Sequence, residues 1–330
     1  MRTRPWILLC LLAGGCAADD LDTGVTAQEI VGGTLTQGYQ AVPLLYSEFD
    51  DGTANLCSGT LISPRVVLTA AHCLKLADQP TLQLAYFGAD ATIESDPARL
   101  DSIEVVDQIY DPAWDIDDLE GGHDVGLVLL ARAGPVPPMG YNRTPLDGRT
   151  GEDVHLVGWG RTTGDGEDYG KKREVMTSLQ QSDAVLMRYG SASANTCQGD
   201  SGGPNFMMEG GAEVVAGITS FGNTGCDQYG FGTNVAAYAE SFIDPWLVQN
   251  DADLCSSDGT CVDLCGSDDP DCGGDTGDGD SGGGEGGGDT TSPGSGDVTG
   301  GCSAGGPIRG RVALLLLGLT AYLLWRRRRT

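Results

Sequence analysis

The stretch ANTCQGDSGGP, residues 194–204, places one serine, Ser201, between an aspartate and two glycines. A serine hydroxyl becomes an effective nucleophile only when a neighbouring base, usually histidine, takes its proton. That base in turn needs a carboxylate that holds its ring in one tautomer and orientation. The stretch therefore raises the hypothesis of a nucleophilic serine, for which the rest of the chain must supply a base and a buried acid.

The chain contains three histidines. His72 lies in VVLTAAHC, His123 in GGHDVGLVLL and His155 in DVHLVGWG. Asp124 is the natural candidate for the acid, because a carboxylate at the head of the apolar run VGLVLL requires a partner once that run is buried. The residues alone leave the base open among the three histidines.

Most of the chain before residue 250 has the pattern of β-structure. Short apolar runs, such as SGTLISPRVVLTAA and VVAGITSFG, alternate with turns rich in Gly, Asp and Pro. One late segment, AAYAESFIDPWLVQ, spaces Tyr238, Phe242 and Trp246 four apart, which predicts a terminal amphipathic helix kinked at Pro245. Many short strands over about 210 residues predict an all-β sandwich or barrel.

Four motifs occur in order: IVGG at 30–33, LTAAHC at 68–73, HDVGLVLL at 123–130 and CQGDSGGP at 197–204. In order and rough spacing they resemble the trypsin/chymotrypsin-like serine endopeptidases, over about residues 30–248. The resemblance implies an all-β fold of two packed antiparallel six-stranded barrels with a short C-terminal helix. It also implies hydrolysis of peptide bonds in protein or peptide substrates, with no cofactor and no metal.

The resemblance assigns catalytic roles residue by residue. His72 matches the general base and acid, Asp124 matches the residue that orients it, and Ser201 matches the nucleophile that forms the acyl-enzyme. The backbone N–H groups of Gly199 and Ser201 match the oxyanion hole. Ser220 matches the serine that supports the aspartate and offers backbone to an extended substrate.

The same match predicts a non-basic preference for the residue before the scissile bond (P1). Asn195 occupies the position where a preference for Arg and Lys requires an aspartate. Gly222 and Gly230 match open pocket walls, and Phe221 lines the cleft. Such a pocket favours uncharged side chains of medium to large size, with a Gln-like side chain as an alternative, whereas Asp227 nearby favours a basic one.

The resemblance also predicts a zymogen that is activated by a cut before IVGG. The new ammonium of Ile30 would then pair with Asp200, since a buried carboxylate is costly without a partner. The residue before the cut is Glu29 rather than Arg or Lys, so a trypsin-type activator does not fit. The chain needs a Glu-cutting activating protease or self-processing.

Cysteines follow the same pattern in the central domain. Cys57 and Cys73 match a family disulfide around the His72 loop, and Cys197 and Cys226 match one that braces the primary pocket. Four further cysteines follow in a short acidic span, where two disulfides in any of three pairings are predicted. Zinc is the less favoured alternative, because C-x-x-C spacing is missing. These four are Cys255, Cys261, Cys265 and Cys272.

Both ends of the chain predict export and attachment. The N-terminus has a basic start and a short apolar run, which are typical of a signal peptide. The sequence LAGGC, which ends at Cys16, resembles a lipoprotein signal. The alternative is CAA, which ends at Ala18 and suits cleavage by an ordinary signal peptidase. At the other end, the predominantly apolar 14-residue run 312–325 precedes an arginine cluster that stays cytoplasmic. The order GCS, apolar run, arginines resembles sorting signals of myxobacterial-type surface proteins processed near Cys302; a plain membrane anchor is the alternative.

These observations divide the chain into six predicted parts and place the enzyme at a cell surface, at an outer membrane or free outside the cell. The parts are a signal peptide (1–18), a propeptide (19–29), a protease domain (30–250), a four-cysteine acidic module (251–272), a Gly/Asp/Ser linker (273–301) and a C-terminal sorting or transmembrane segment (302–330).

The acidic charge of the chain limits the classes of partner that it can bind. The chain has a net charge of −28, and residues 30–250 carry 30 acidic against 11 basic side chains. Such a surface excludes non-specific nucleic-acid binding and attracts cationic proteins only weakly, in a salt-dependent way. A catalytically silent binding module is the alternative to an enzyme, but the presence of every predicted catalytic residue favours the enzyme. His123 is then a bystander, and His155 is structural.

Overall fold

The computed structural model describes residues 30–76, 79–92, 102–256 and 262–272. The predicted signal peptide, propeptide, linker and C-terminal segment lie outside these residues, as do Glu29 and Cys261. The chain divides into two units, Met1–Thr276 and Gly277–Thr330, and every described residue belongs to the first. Among the described residues, none of the helices combines the length and hydropathy that a bilayer crossing requires.

The first barrel contains six antiparallel strands. The chain begins with a two-residue strand, β1 (Thr34–Leu35), and then forms β2 (Leu44–Glu48), β3 (Ala54–Ser58), β4 (Thr60–Leu61), β5 (Val66–Thr69), β6 (Leu82–Tyr86), β7 (Ser102–Tyr110) and β8 (Gly126–Leu130). Seven of these pair in the order β3-β2-β6-β7-β8-β5-β4. Only Gly59 separates β3 from β4, so these two are halves of one strand. Its first half pairs with β2 and its second half pairs with β5, which closes the sheet into a six-stranded barrel.

The second barrel repeats this construction. Its strands are β9 (Asp153–Gly158), β10 (Arg173–Ser178), β11 (Gln181–Ser182), β12 (Leu186–Tyr189), β13 (Pro204–Glu209), β14 (Ala212–Gly222) and β15 (Gly230–Asn234). They pair in the order β10-β9-β13-β14-β15-β12-β11, with β1 added to the outer side of β10. Two residues separate β10 from β11, so this barrel also closes with six strands. The prediction of two six-stranded barrels is confirmed.

The barrels are filled by the apolar runs of the sequence. All four residues of β5 are buried, as are four of the five in β8, which is why both runs read as continuous rather than alternating hydrophobic segments. The second barrel has its own core cluster. Its members are Leu146, Val154, Leu156, Leu179, Met187, Tyr189, Met207 and Ala216.

The C-terminal helix is shorter than its periodicity predicts. A 3₁₀ turn (Val235–Ala237) and a π-helical turn (Ala239–Ile243) precede the α-helix α1 (Asp244–Asn250). Pro245 therefore lies in the first turn of α1 and does not kink a longer helix; in that position its missing N–H costs no helical hydrogen bond. Tyr238 and Trp246 are both buried in the core, as the spacing predicts.

The described part of the four-cysteine segment packs onto the same core. Leu254 and Cys265 belong to the larger core cluster, most of whose members lie in the first barrel, and Cys255 forms a disulfide with Cys265. The buried carboxylate of Asp251 accepts hydrogen bonds from the Ser63 hydroxyl and from the Arg65 backbone N–H at 2.9 Å. The beginning of this segment therefore extends the first barrel's core.

Candidate active site

The predicted catalytic side chains meet between the two barrels. A 3₁₀ turn (Ala71–Cys73) after β5 carries His72, and Asp124 precedes β8, so both come from the first barrel. Ser201 and Gly199 lie in the loop between β12 and β13 of the second barrel. His72, Gly199 and Ser201 line one cavity of about 360 Å³.

The imidazole of His72 is held by Asp124 through two contacts. The ring Nδ1 lies 2.7 Å from one carboxylate oxygen, and the His72 backbone N–H donates to the other at 2.9 Å. With Nδ1 bonded to a carboxylate, the proton belongs on Nδ1 and the lone pair of Nε2 is free for a substrate-side proton. The arrangement fixes both the orientation and the tautomer that a general base needs.

Asp124 is buried and yet ionised. Burial alone would raise the pKa of its carboxyl, but hydrogen bonds from His72 and from the Ser220 hydroxyl hold that pKa below its usual value. The carboxylate therefore keeps its charge near neutral pH and is available to stabilise an imidazolium at His72.

The loop around Ser201 has a fixed backbone conformation. Gly199 has a φ of +98°, and a side chain there would place its Cβ 2.8 Å from the Cα of Gly160, so only glycine fits. The Ser201 carbonyl accepts the Ser58 N–H at 2.8 Å, which ties the nucleophile loop to the first barrel.

Ser58 makes two more contacts that the motifs did not reveal. Its hydroxyl is fully buried, donates to the Gly199 carbonyl at 2.9 Å and accepts the Trp159 N–H at 3.1 Å. The hydroxyl therefore joins the loop that contains Gly199 to the segment after β9. No local sequence signal marks Ser58, because both partners lie more than 100 positions away.

We expect Ser58→Ala to lower kcat several-fold while KM changes little. The substitution leaves the buried Trp159 N–H unpaired, at a cost of about 1–3 kcal/mol, and removes the hydrogen bond that holds the half-buried Gly199 carbonyl, which loosens the Gly199 loop. Steady-state kinetics and chemical denaturation measure both effects. Ser63→Ala is the matched control, since it removes another buried serine hydroxyl of the first barrel and should reduce stability without reducing kcat. Equal kcat in the two variants would contradict a positioning role for Ser58.

Asp200 lies fully buried beside the same loop. Its carboxylate accepts the Gly160 N–H at 2.7 Å and the Cys197 N–H at 2.8 Å. Burial raises the pKa of Asp200 to about 7, although these hydrogen bonds act in the opposite direction. Gly160 is required here because any Cβ would lie within 3 Å of the Asp200 side chain.

The chain around Ile30 is docked close to the pocket. Ile30 is fully buried, and Val31 forms a β-bridge with Asn195, whose N–H donates to the Val31 carbonyl at 3.1 Å. The nitrogen of Ile30 is still part of the Glu29–Ile30 peptide bond and carries no charge. The buried carboxylate of Asp200 therefore has N–H donors but no ammonium partner in the uncut chain.

A second cavity of about 220 Å³ adjoins Ser201 on the other side. The predicted pocket residues Ser220, Phe221 and Gly222 line it. Asn195 and Gly230 are both buried behind the cavity: the Asn195 amide donates to the Cys226 carbonyl at 3.2 Å and accepts the Thr196 N–H at 3.0 Å. The lining residues that the motifs missed include Thr196, which follows Asn195 directly, and Thr219.

The remaining predicted groups lie at or near the site. Disulfides join Cys57 to Cys73 and Cys197 to Cys226. His123 and His155 lie outside the cavity lining: His123 Nδ1 is 2.8 Å from Asp111, and His155 is held between Glu174 and Glu213 on the second barrel. Neither histidine contacts the Asp124 carboxylate in the described contacts, so only His72 is placed to act as the base.

Two closed six-stranded barrels with a histidine, a buried aspartate and a serine at their junction form the framework of a serine-type endopeptidase. The profile of the family described as Trypsin matches residues 30–243. The chain belongs to the trypsin family and is a serine-type endopeptidase.

Individual relatives agree with this assignment. Human kallikrein-8 is 30% identical over 270 residues, which cover 72% of this chain and 95% of that protein. Bovine chymotrypsin-like elastase family member 1 is 26% identical over 238 residues, covering 61% and 82%. Mouse granzyme C is 29% identical over 214 residues, covering 60% and 83%.

Proposed function

We propose that this endopeptidase cleaves peptide bonds through Ser201, His72 and Asp124. The single observation that carries the proposal is the buried Asp124 carboxylate, which holds His72 by both its ring and its backbone in the cavity that Ser201 also lines. His72 Nε2 takes the Ser201 proton as the serine oxygen bonds to the substrate carbonyl carbon. The imidazolium then gives that proton to the leaving amine, and water repeats the sequence to release the acid.

The oxyanion that forms in each step is bound by the N–H groups of Gly199 and Ser201. The positive φ of Gly199 and the Ser58 hydrogen bonds support this role, because they fix the loop before the substrate arrives. Fixed donors aimed at a developing negative charge are among the largest contributions to such catalysis.

We further propose that the chain is made as a zymogen that is cut between Glu29 and Ile30. The support is the state of Asp200, a fully buried carboxyl whose pKa burial raises to about 7, although backbone N–H donors and the charge of Arg173 act in the opposite direction. A free Ile30 ammonium would supply a cationic partner and hold the loop between Cys197 and Ser201 in place. The activating protease cuts after Glu29, or the enzyme processes itself.

Export and attachment complete the proposal. Residues 1–18 direct export, with or without lipid on Cys16, and residues 302–330 hold the enzyme at a membrane or cell surface. The disulfides of the described residues support an oxidising compartment, since such bonds are rare in the cytosol. A lipid on Cys16 would leave the enzyme when Glu29–Ile30 is cut.

The P1 preference that we propose is non-basic. The described lining of the 220 Å³ cavity holds no acidic side chain; its polar groups are hydroxyls and amides, including those of Thr196 and Thr219. Asp227, the group that favoured a basic residue, is exposed and bonded to the Asn223 amide at 2.6 Å. A lysine or arginine would lose hydration in this pocket without gaining a counter-charge.

We expect cleavage after Lys or Arg to be at least about tenfold slower than after the best uncharged residue. A mixed peptide library, with cut sites read by mass spectrometry, measures this preference on the enzyme with a free Ile30 amine. Asp227→Asn is the control and should leave the preference unchanged. A library cut mainly after Lys or Arg, and less so in Asp227→Asn, would assign Asp227 to the pocket instead.

A further inference from the structure

The larger cavity beside Ser201 is distinct from the proposed P1 pocket. It shares Gln198 and Ser201 with the 220 Å³ cavity but is otherwise lined by different residues. Given the proposed roles of Ser201 and of the smaller pocket, the substrate residues after the scissile bond occupy this larger space. Its remaining lining residues are Ala54, Asn55, Leu56, Cys57, His72, Arg161, Tyr169 and Gly199.

Arg161 is the one permanently charged side chain in the described lining of this cavity. Its backbone N–H donates to the Gln198 carbonyl at 2.9 Å, which anchors it beside the nucleophile loop. Its guanidinium lies 5.6 Å from the ring centre of Tyr169, a second lining residue, so an aromatic face supports the cation within the cleft.

The ion pair between this guanidinium and its acidic partner is weak. Glu167 is 4.0 Å away and 79% exposed, a geometry that contributes little in water. The planar N–H donors of Arg161 are therefore available to a carboxylate, which arginine binds through two parallel hydrogen bonds. Because the domain is strongly acidic, this local cation is what distinguishes the cleft from the surface around it.

We propose that Arg161 selects substrates that carry a carboxylate at the first or second residue after the scissile bond. The proposal rests on the function assigned above to Ser201 and deepens it by naming a substrate class. The carboxylate is the side chain of Asp or Glu, or the terminal carboxylate of a peptide that ends there. In both cases the bound group is the same anion, placed on the leaving side of the cut.

The test uses the full chain cut after Glu29, in 0.15 M salt, where long-range repulsion is screened over about 8 Å. One peptide series, with amidated C-termini, carries Glu or Gln at each of the three positions after the scissile bond. A second series carries neutral residues only and compares free with amidated C-termini. We expect one carboxylate source to raise kcat/KM about tenfold over its neutral counterpart.

Variants decide whether Arg161 is responsible. Arg161→Gln should abolish the carboxylate preference, measured within each variant as the ratio of kcat/KM for the carboxylate peptide to that for its neutral counterpart, and Arg161→Lys should retain part of it. Arg149→Gln removes the same charge from a surface cluster with Glu152 and Glu209 and should keep the full preference. A preference that persists in Arg161→Gln, or no preference at any position, would overturn the proposal.

The same experiment separates this inference from the function on which it rests. If the wild type cleaves no peptide in either series, the proposed catalytic roles fail. If it cleaves the neutral peptides well and ignores the carboxylates, only the role of Arg161 fails.

Discussion

Replacing Ser201 by alanine should reduce kcat for peptide cleavage by at least about 10⁴-fold. Alanine has no oxygen to form the acyl-enzyme, so the His72–Asp124 pair has no nucleophile to deprotonate and only water can attack. The fold should remain, because the contact that links this residue to the first barrel is the Ser58 N–H to its backbone carbonyl, which alanine keeps. Cleavage of a mixed peptide library, with circular dichroism as the test of folding, measures both expectations.

The matched control is Ser193→Ala, an exposed serine eight positions earlier that should leave activity unchanged. If wild type with a free Ile30 amine and Ser201→Ala cleave equally, residual cleavage comes from a contaminant, and the proposed roles of Ser201 and His72 are wrong. Such a result would favour the alternative of a folded binding module, for which surface capture of proteins rather than hydrolysis becomes the property to measure.

His72→Ala should lose nearly as much activity, and the two losses should not add. The base and the nucleophile act in one step, so removing either one leaves the other without a function. A double variant close to either single variant is therefore the expected result. This non-additivity distinguishes a catalytic pair from two residues that contribute separately to folding.

The local motifs predicted the parts of the site that depend on neighbours in sequence. Asp124 was identified because a carboxylate at the start of a buried strand needs a partner, and the structure supplies His72 and Ser220. The signal for this prediction lay within about ten residues of Asp124.

Contacts between distant segments were not predictable in this way. Ser58 and Arg161 are brought to the nucleophile loop by the closure of two barrels, and neither carries a local pattern. Asn195 was predicted at the base of the pocket; in the structure its amide is buried and bonded to Cys226 and Thr196, and Thr196 lines the cavity. A motif fixes the position of a residue along the chain but not which of two neighbouring residues lines the cavity.

Asp200→Asn should reduce the activity of the cut enzyme by about 10²–10⁴-fold, because breaking a buried ion pair costs about 3–5 kcal/mol. In the uncut chain Asp200 accepts two backbone N–H groups but has no ammonium partner. The new amine of Ile30 would supply it and stabilise the loop that presents Gly199. Acetylation of that amine should reproduce the loss of activity, since it removes the charge and leaves both side chains in place.

The pH dependence of stability tests the state of Asp200 before the cut. In the uncut chain burial raises the pKa of Asp200 from 3.8 to about 7, so the native state holds a proton that the unfolded state releases. Asp200 therefore lowers stability progressively as pH rises from about 4 to 7. Thermal unfolding of uncut Ser201→Ala, with and without Asp200→Asn, should show this decline only when Asp200 is present.

After the cut, stability is again expected to fall with rising pH, but in a more alkaline range. In the proposed pair, the Ile30 amine would gain the Asp200 carboxylate as a partner, so its folded pKa would rise above the unfolded value of about 7.7–8.0. Its contribution is then fully present below about pH 8 and is lost as pH rises through the folded pKa, together with activity. Two results together would show that activation does not use this pair. The enzyme would keep full activity when the Ile30 amine is acetylated, and the stability of the uncut form would depend on pH in the same way with and without Asp200→Asn.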